Sequence, residues 1–177
     1  MSIALGTPAP TFELPGVDGR SHALDDFADE PVLVLIQSCN HCPYVMAWED
    51  RMVAVQRDYG ERGVRLVAIN ANDAAKYPSD SFEAMQERAR EKGFNFPYLY
   101  DEAQEIAHAL GSERTPEVFL FDRDRRLVYH GAIDDNREED AVSQHYLRDA
   151  LDALLEGREP PVTETPPVGC TVKWRSP

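Results

Sequence analysis

The chain has 177 residues, of which 42% are hydrophobic, and this size suits one domain that buries its own core. Its formal net charge is −14, from 32 acidic and 18 basic residues, which argues against binding to nucleic acid or to anionic lipid. The first ten residues, MSIALGTPAP, lack the basic and apolar segments of a secretory signal, and the longest apolar run, Val32 to Ile36, is far too short to cross a membrane. We therefore expect a cytoplasmic protein without a membrane anchor.

The first half of the chain predicts strands that alternate with a helix. The segment TFELPGVDGRSHAL reads as two short strands around a turn at residues 17–19. The apolar runs PVLVLIQ (31–37) and VRLVAIN (64–70) are typical of strands that are buried on both faces. Between these runs, apolar residues recur at helical spacing from Pro43 to Tyr59, and Gly60 follows the last of them.

The second half predicts shorter elements and a hairpin. Ser79 or Asp80 is the candidate N-cap of a polar helix from about Phe82 to Glu91. Four further elements are predicted in chain order: FPYLYD as an extended segment, EAQEIAHAL as a short helix, EVFLFD with RLVYHGAI as a hairpin, and AVSQHYLRDALDALLEG as a long amphipathic helix.

This order of elements places helical crossovers between parallel strands and ends with an antiparallel hairpin under a last helix. It predicts an α/β fold, a three-layer α/β/α sandwich around a mixed central sheet with an N-terminal β extension. No internal repeat or linker divides the chain. We predict one domain, residues 1–157, with a proline-rich tail, residues 158–177, that carries GCTVKW and packs on the same domain.

The motif IQSCNHCPYV (36–45) places Cys39 and Cys42 between the first buried strand and the helix that Pro43 opens. At a helix N-terminus, unpaired N–H groups and the helix dipole stabilise a thiolate, so we expect a lowered thiol pKa. His41 adds a positive charge or a hydrogen bond close to the sulfurs. In a reducing compartment, a Cys-x-x-Cys pair in this position indicates redox chemistry rather than a structural disulfide.

Seven segments carry a resemblance that spans essentially the whole chain. They are GTPAPTFELPGVDGR, SCNHCPYVMAWEDRM, LVAINAND, YPSDSFEAM, FPYLYDEAQEIAHALG, RTPEVFLFD and PPVGCTVKW. The chain resembles the thioredoxin superfamily, and within it the peroxiredoxin-related branch of the alkyl-hydroperoxide-reductase/thiol-specific-antioxidant (AhpC/TSA) type. The resemblance implies a thioredoxin-like fold and redox-active cysteines.

By this resemblance, Thr115 and Pro116 match the threonine and cis-proline that face the cysteine pair in the superfamily. The backbone of Thr115 would then pair with an extended substrate beside the sulfurs. The residues alone would instead favour an ordinary trans turn before a strand. Similar proteins often have a cysteine directly before this pair, whereas Arg114 stands here, and we expect its charge to favour a thiolate and acidic partners.

The cysteine pair is compatible with two redox mechanisms. Peroxiredoxins carry the pattern Pro-x-x-x-Thr-x-x-Cys. If its cysteine is aligned with Cys42, the threonine position holds Cys39, and if its cysteine is aligned with Cys39, that position holds Ile36. Neither alignment supplies the threonine that orients a peroxide. We therefore predict a thiol–disulfide oxidoreductase in which Cys39, nearer to the solvent, attacks and Cys42 resolves, with a thiol-dependent peroxidase as the alternative.

The role of Cys170 stays open. It is either a third redox thiol that resolves or relays to Cys39, or a small residue packed under Trp174 or left as a surface thiol, and we favour the second reading. A metal site formed by Cys39, His41, Cys42 and Cys170 is the rival to redox chemistry, and a non-enzymatic binding module is a third reading. A structural zinc needs four ligands in a closed geometry, and no second Cys-x-x-Cys or His pair is present, so we predict no metal.

The predicted cofactor is the Cys39–Cys42 dithiol itself. The predicted partners are a disulfide-bearing protein, a small thiol or a peroxide, with thioredoxin or glutathione as the electron donor.

Overall fold

The structure, a computed structural model, describes all 177 residues. Its strands are β1 (Glu13–Pro15), β2 (Ser21–Ala23), β3 (Val32–Ser38), β4 (Val64–Asn70), β5 (Tyr98–Tyr100), β6 (Arg114–Thr115), β7 (Glu117–Phe121), β8 (Leu127–Gly131) and β9 (Cys170–Thr171). Its α-helices are α1 (Pro43–Tyr59), α2 (Phe82–Lys92), α3 (Glu105–Leu110) and α4 (Tyr146–Leu155). None of these helices has both the length and the apolar character that a membrane span requires.

The central sheet has five strands in the order β5-β4-β3-β7-β8. β3 pairs in parallel with β4 and antiparallel with β7, β5 is parallel to β4, and β7 and β8 form the predicted antiparallel hairpin. The strands β1 and β2 form a separate two-stranded sheet at the N-terminus. The predicted mixed sheet with an N-terminal β extension is confirmed.

The apolar core lies on both faces of this sheet. One cluster joins side chains of α1, α2 and α4 to one face, and a second joins α3 and the N-terminal residues Phe12 and Phe27 to the other. All seven residues of β3 are buried, which explains why its apolar run shows no alternation. The arrangement is the predicted three-layer α/β/α sandwich, and it places the end of β3 and the start of α1 at one edge of the sheet.

The ends of three helices differ from the prediction because polar side chains bind backbone N–H groups there. The N-cap of α2 is Ser81, whose Oγ accepts from the N–H of Ala84 at 3.1 Å, and not Ser79 or Asp80. α3 begins at Glu105, later than predicted, since the Asp101 carboxylate accepts the N–H groups of residues 106 and 107 at 3.0 and 2.9 Å.

The last helix is also shorter than its amphipathic pattern, and it begins at Tyr146. Ser143, inside the predicted helix, donates its N–H to the Asp135 carboxylate at 2.9 Å. The N–H of Asp135 in turn donates to the carbonyl of Gln144 at 3.1 Å. These two bonds hold residues 143–144 against the preceding loop instead of in a helical turn.

The tail, residues 158–177, contacts the domain in three places. His130 of β8 exchanges backbone hydrogen bonds with Thr163 and Thr165, each at 3.0 Å. The strand β9 pairs antiparallel with β6, with Thr115 opposite Cys170. Beyond β9, Lys173 donates its N–H to Asn72 Oδ1 at 2.9 Å. The tail therefore runs from one edge of the central sheet across the cysteine motif.

Candidate active site

The site begins where β3 ends. Cys39 follows the last residue of β3, and Cys42 is the N-cap of α1, with Pro43 in the first helical position. Facing them, the peptide bond between Thr115 and Pro116 is cis. The strand-to-helix junction that the sequence predicts is present, and the Thr-Pro pair that the resemblance implied lies beside it.

Thr115 contacts both sulfurs of the motif. Its Oγ1 lies 3.4 Å from Cys39 Sγ, at hydrogen-bond distance for a sulfur, and its carbonyl oxygen lies 3.5 Å from Cys42 Sγ. Thr115 is fully buried. The fold thus brings Cys39, Cys42 and Thr115 together across 73 or more residues of sequence.

The disulfide is a different one from that expected. Cys42 is bonded to Cys170 of β9, with 6.2 Å between the two Cα atoms, and Cys39 is a free thiol. The expected Cys39–Cys42 disulfide is therefore absent from this state. The favoured reading of Cys170 as a packing residue or surface thiol is wrong, because β9 places Cys170 opposite Thr115 and within bonding distance of Cys42.

Cys39 is not the solvent-facing cysteine that the motif suggested. Its exposed fraction is 4%, and that of Cys42 is 6%. The two cysteines form a small buried cluster with Val45, against which Cys170 and Tyr44 pack. The tail, which sequence patterns could not place, supplies part of this cover.

The pKa of the Cys39 thiol is raised from 9.0 to about 11, mainly because burial removes water from the thiolate. The negative charge of Asp80 raises it further. The Thr115 hydroxyl and the backbone N–H groups of Cys42 and His41 act in the opposite direction. The effect of the helix N-terminus is therefore present, but in this state desolvation outweighs it, and the expected lowering of the pKa is wrong for Cys39.

Asp80 is the functional candidate that sequence reasoning assigned elsewhere. Its buried carboxylate accepts the backbone N–H of Asn40 at 2.8 Å and the side-chain amides of Asn70 and Asn72 at 3.1 and 3.0 Å. Asn40 also accepts from the Tyr98 hydroxyl at 2.7 Å. This network fixes the turn between the two cysteines. In the sequence, only Asn40 inside the motif points to such a network.

His41 and Arg114 lie at the rim of the site. The His41 side chain is exposed and makes no hydrogen bond. In this state it therefore has no hydrogen bond to a sulfur through which it could tune the thiolate in the way that the sequence predicts. Arg114 is also exposed, and its guanidinium lies 3.5 Å from the carbonyl of Gly169 in the tail. Its charge thus faces the tail backbone, and neither side chain hydrogen-bonds a sulfur.

A buried Glu117–His130 pair holds the segment before the cis-proline. Glu117 Oε2 accepts the backbone N–H groups of Glu113 and Arg114 at 2.7 and 2.9 Å. Its other oxygen lies 2.6 Å from His130 Nε2. The sequence predicts Glu117 only as the start of a strand, and its contact with His130 depends on the pairing of β7 with β8.

The structure contains no group of three or more His, Cys, Asp or Glu side chains arranged to hold a metal ion. Two of the four proposed ligands, Cys42 and Cys170, are bonded to each other.

The fold agrees with a comparison of the sequence with protein families. The profile of the Redoxin family matches residues 4–146, which include the cysteine motif and the cis-proline segment. The chain belongs to the Redoxin family. This redoxin is therefore an oxidoreductase with a thioredoxin-like fold, as the sequence predicts.

Two solved structures and one further relative place this redoxin among known proteins. An uncharacterized conserved protein of Geobacillus kaustophilus is 45% identical, with a TM-score of 0.93 over 98% of this chain and 94% of that chain. A hypothetical protein of Sinorhizobium meliloti 1021 is 40% identical, with a TM-score of 0.95 over 100% and 98% of the two chains. The thiol-disulfide oxidoreductase ResA of Geobacillus thermodenitrificans (strain NG80-2) is 27% identical over 128 residues, 71% of this chain and 68% of that protein.

Proposed function

We propose that this redoxin is a thiol–disulfide oxidoreductase that exchanges disulfides with a disulfide-bearing protein or a small thiol. One observation carries the proposal: a disulfide and a free thiol lie in one buried cluster around Thr115. Thiol–disulfide exchange needs these two groups side by side. The similarity to a protein named thiol-disulfide oxidoreductase supports the same activity.

In the reduced protein, Cys39 is the nucleophile and Cys42 the resolving thiol. The Cys39 thiolate attacks one sulfur of the partner disulfide, and the other partner sulfur leaves as a thiolate that takes up a proton. Cys42 then attacks Cys39 Sγ, which forms the Cys39–Cys42 disulfide and releases the second partner thiol. The N–H groups of residues 41 and 42 and the hydroxyl of Thr115 stabilise the charge on Cys39 during the first step.

The proposal includes the environment of the enzyme. We assign the cytoplasm as its compartment, with thioredoxin or glutathione as the reductant that restores the dithiol. The net charge of −14 favours a partner whose surface is basic, whereas Arg114 at the rim of the site favours an acidic group on the segment of the partner that enters it.

The test uses the reduced full-length protein and oxidised glutathione. We expect rapid release of glutathione by the parent protein and much slower release from Cys39→Ser, in which Cys42 and Cys170 can still form a disulfide. In Cys42→Ser we expect a stable mixed disulfide on Cys39, which peptide mass mapping would locate. Cys170→Ser is the matched control, because it removes a cysteine but leaves both members of the pair. Release from Cys39→Ser at the parent rate would contradict the assignment of the nucleophile.

A thiol-dependent peroxidase is the second candidate. The observation in its favour is the Thr115 hydroxyl, 3.4 Å from Cys39 Sγ, since peroxiredoxins use a threonine hydroxyl beside the reactive sulfur. The raised pKa of Cys39 does not separate the two candidates, because the thiolate is the reactive form toward a peroxide and toward a disulfide alike. Stoichiometric loss of hydrogen peroxide with formation of Cys39 sulfenic acid, faster than exchange with glutathione, would favour the peroxidase.

A further inference from the structure

The tail places Cys170 beside Thr115 and Cys42, where the proposed function requires the partner to bind. In the β6–β9 ladder, Cys170 lies opposite Thr115, and its sulfur is bonded to Cys42. The approach is so close that a Cβ atom on Gly169 would lie 2.1 Å from the carbonyl oxygen of Thr115. Only glycine allows this strand to lie here, so the contact depends on one residue beside the cysteine.

The tail is attached on both sides of Cys170 by contacts that do not involve sulfur. Before it, Thr165 accepts at Oγ1 from the N–H of Ala132 at 2.9 Å, in addition to its backbone bond to β8. After it, the carbonyl of Lys173 accepts the N–H of Asp73 at 2.9 Å, and the Trp174 ring stacks on His108 with 4.2 Å between ring centroids. When the disulfide opens and a partner displaces β9, these flanking attachments keep Cys170 within reach of Cys42 at a high effective concentration.

We propose that Cys170 is a third redox-active cysteine. At the end of each oxidation it replaces Cys39 as the disulfide partner of Cys42, and Cys39 becomes a free thiol again. This inference rests on the proposed function, because the partner disulfide of that reaction supplies the oxidising equivalents. The structure is then the resting oxidised form, with the tail strand in the partner's place beside Thr115.

The step is an exchange within the chain and consumes no further oxidant. The Cys170 thiolate, its proton lost to solvent, attacks Cys42 Sγ in the Cys39–Cys42 disulfide. The bond between Cys42 and Cys170 forms and the bond between Cys39 and Cys42 breaks. The electron pair goes to Cys39 Sγ, which takes up a proton and remains beside the Thr115 hydroxyl.

Burial of the released thiol protects the product. Cys39 is 4% exposed, and with a pKa of about 11 only about one molecule in ten thousand carries the thiolate at pH 7. A thiol with the ordinary pKa of 9.0 would carry about a hundred times more thiolate at pH 7, so burial slows the reverse attack of Cys39 on Cys42, in which the thiolate is the attacking form. The tail disulfide therefore persists until a reductant opens it.

The test follows the order in which the two disulfides form. Reduced full-length protein is mixed with oxidised glutathione, quenched with acid at intervals, alkylated under denaturing conditions and digested without reductant, and the disulfide peptides are quantified by mass spectrometry. We expect Cys39–Cys42 first, then its replacement by Cys42–Cys170. A final state with Cys39–Cys42 intact and Cys170 alkylated would overturn the inference.

Cys170→Ser separates this inference from the proposed function. We expect the variant to release glutathione in its first turnover as the parent does, but to stop at Cys39–Cys42. Failure to release glutathione in this variant would instead contradict exchange by Cys39 and Cys42. The final disulfide of the parent protein would still report on Cys170.

Gly169→Ala tests the tail without touching a cysteine. The added Cβ must displace the strand, so we expect the final ratio of Cys42–Cys170 to Cys39–Cys42 to fall by about tenfold or more. Val168→Ala is the matched control, because the neighbouring Val168 is 48% exposed and its truncation should leave the ratio unchanged. An unchanged ratio in Gly169→Ala would contradict a role for the tail strand in presenting Cys170.

Discussion

At the scale of single residues, the balance at Cys39 decides the reactivity of the site. Three hydrogen-bond donors, the Thr115 hydroxyl and the N–H groups of Cys42 and His41, favour its thiolate. Burial and the charge of Asp80 act against the thiolate and outweigh these donors, so the pKa of Cys39 is raised. The motif predicts the two backbone donors correctly, because they are local, but the Thr115 hydroxyl and the loss of water depend on residues distant in the sequence.

The pH dependence of Cys39 alkylation measures this balance. In the oxidised protein Cys39 is the one free thiol, and we expect its alkylation rate to rise with a midpoint near pH 11 instead of the ordinary 9.0. Asp80→Asn should shift the midpoint downward, since it removes a negative charge that raises the pKa, while Asp29→Asn, at an exposed position, should not. A parent midpoint below pH 9 would contradict the dominance of burial.

The same thiol affects stability in one pH range. Below pH 9 it is protonated in both the folded and the unfolded chain and contributes no pH dependence. Between pH 9 and about 11 the unfolded chain loses the proton first, so the free energy of unfolding falls as pH rises, by about 2–3 kcal/mol in total. Cys39→Ser should remove this part of the pH dependence.

At the scale of secondary-structure elements, apolar spacing predicts where a helix lies, and polar side chains decide where it ends. α1 has the predicted bounds, Pro43–Tyr59, because proline and glycine mark its ends in the sequence itself. α3 and α4 are shorter than predicted. Asp101 caps the first turn of α3, and Asp135 holds Ser143 outside α4, and no local pattern distinguishes these two acids from the others in the sequence.

The N-cap of α2 gives a direct test at this scale. Ser81→Ala removes the hydroxyl that accepts from Ala84, and we expect the free energy of unfolding to fall by about 1 kcal/mol. Ser79→Ala is the control, because the exposed Ser79 contributes only its backbone carbonyl, to Asn40. Equal losses in the two variants, measured by urea denaturation, would count against Ser81 as the cap.

At the scale of the whole molecule, the tail completes the site. It adds to β8, crosses the cysteine motif at β9 and ends against Asn72 and Gln104. Its disulfide joins residues 128 positions apart. The division into residues 1–157 and 158–177 remains a prediction, as does the cytoplasmic location.

Closing a loop of this length should stabilise the fold. We expect reduction of Cys42–Cys170 to lower the free energy of unfolding by about 3–5 kcal/mol, since the oxidised unfolded chain loses much of its freedom. Oxidised Cys170→Ser should show a similar loss, because Cys39–Cys42 closes only a short loop. Oxidised Cys39→Ser should keep the stability of the parent protein. A Cys170→Ser midpoint in urea equal to that of the parent would contradict this view.

The sequence by itself determined the fold class, the order of the main strands and helices, the position of the cysteine motif between β3 and α1, and the family resemblance that identified the cis-proline segment. These features depend on spacing, turn residues and short motifs, which are local. The tertiary structure alone decided that Cys170 bonds to Cys42, that Asp80 supports the motif, and that Cys39 is buried with a raised pKa. Each of these results depends on which distant segment covers the sulfurs, and no local spacing or motif identifies that segment.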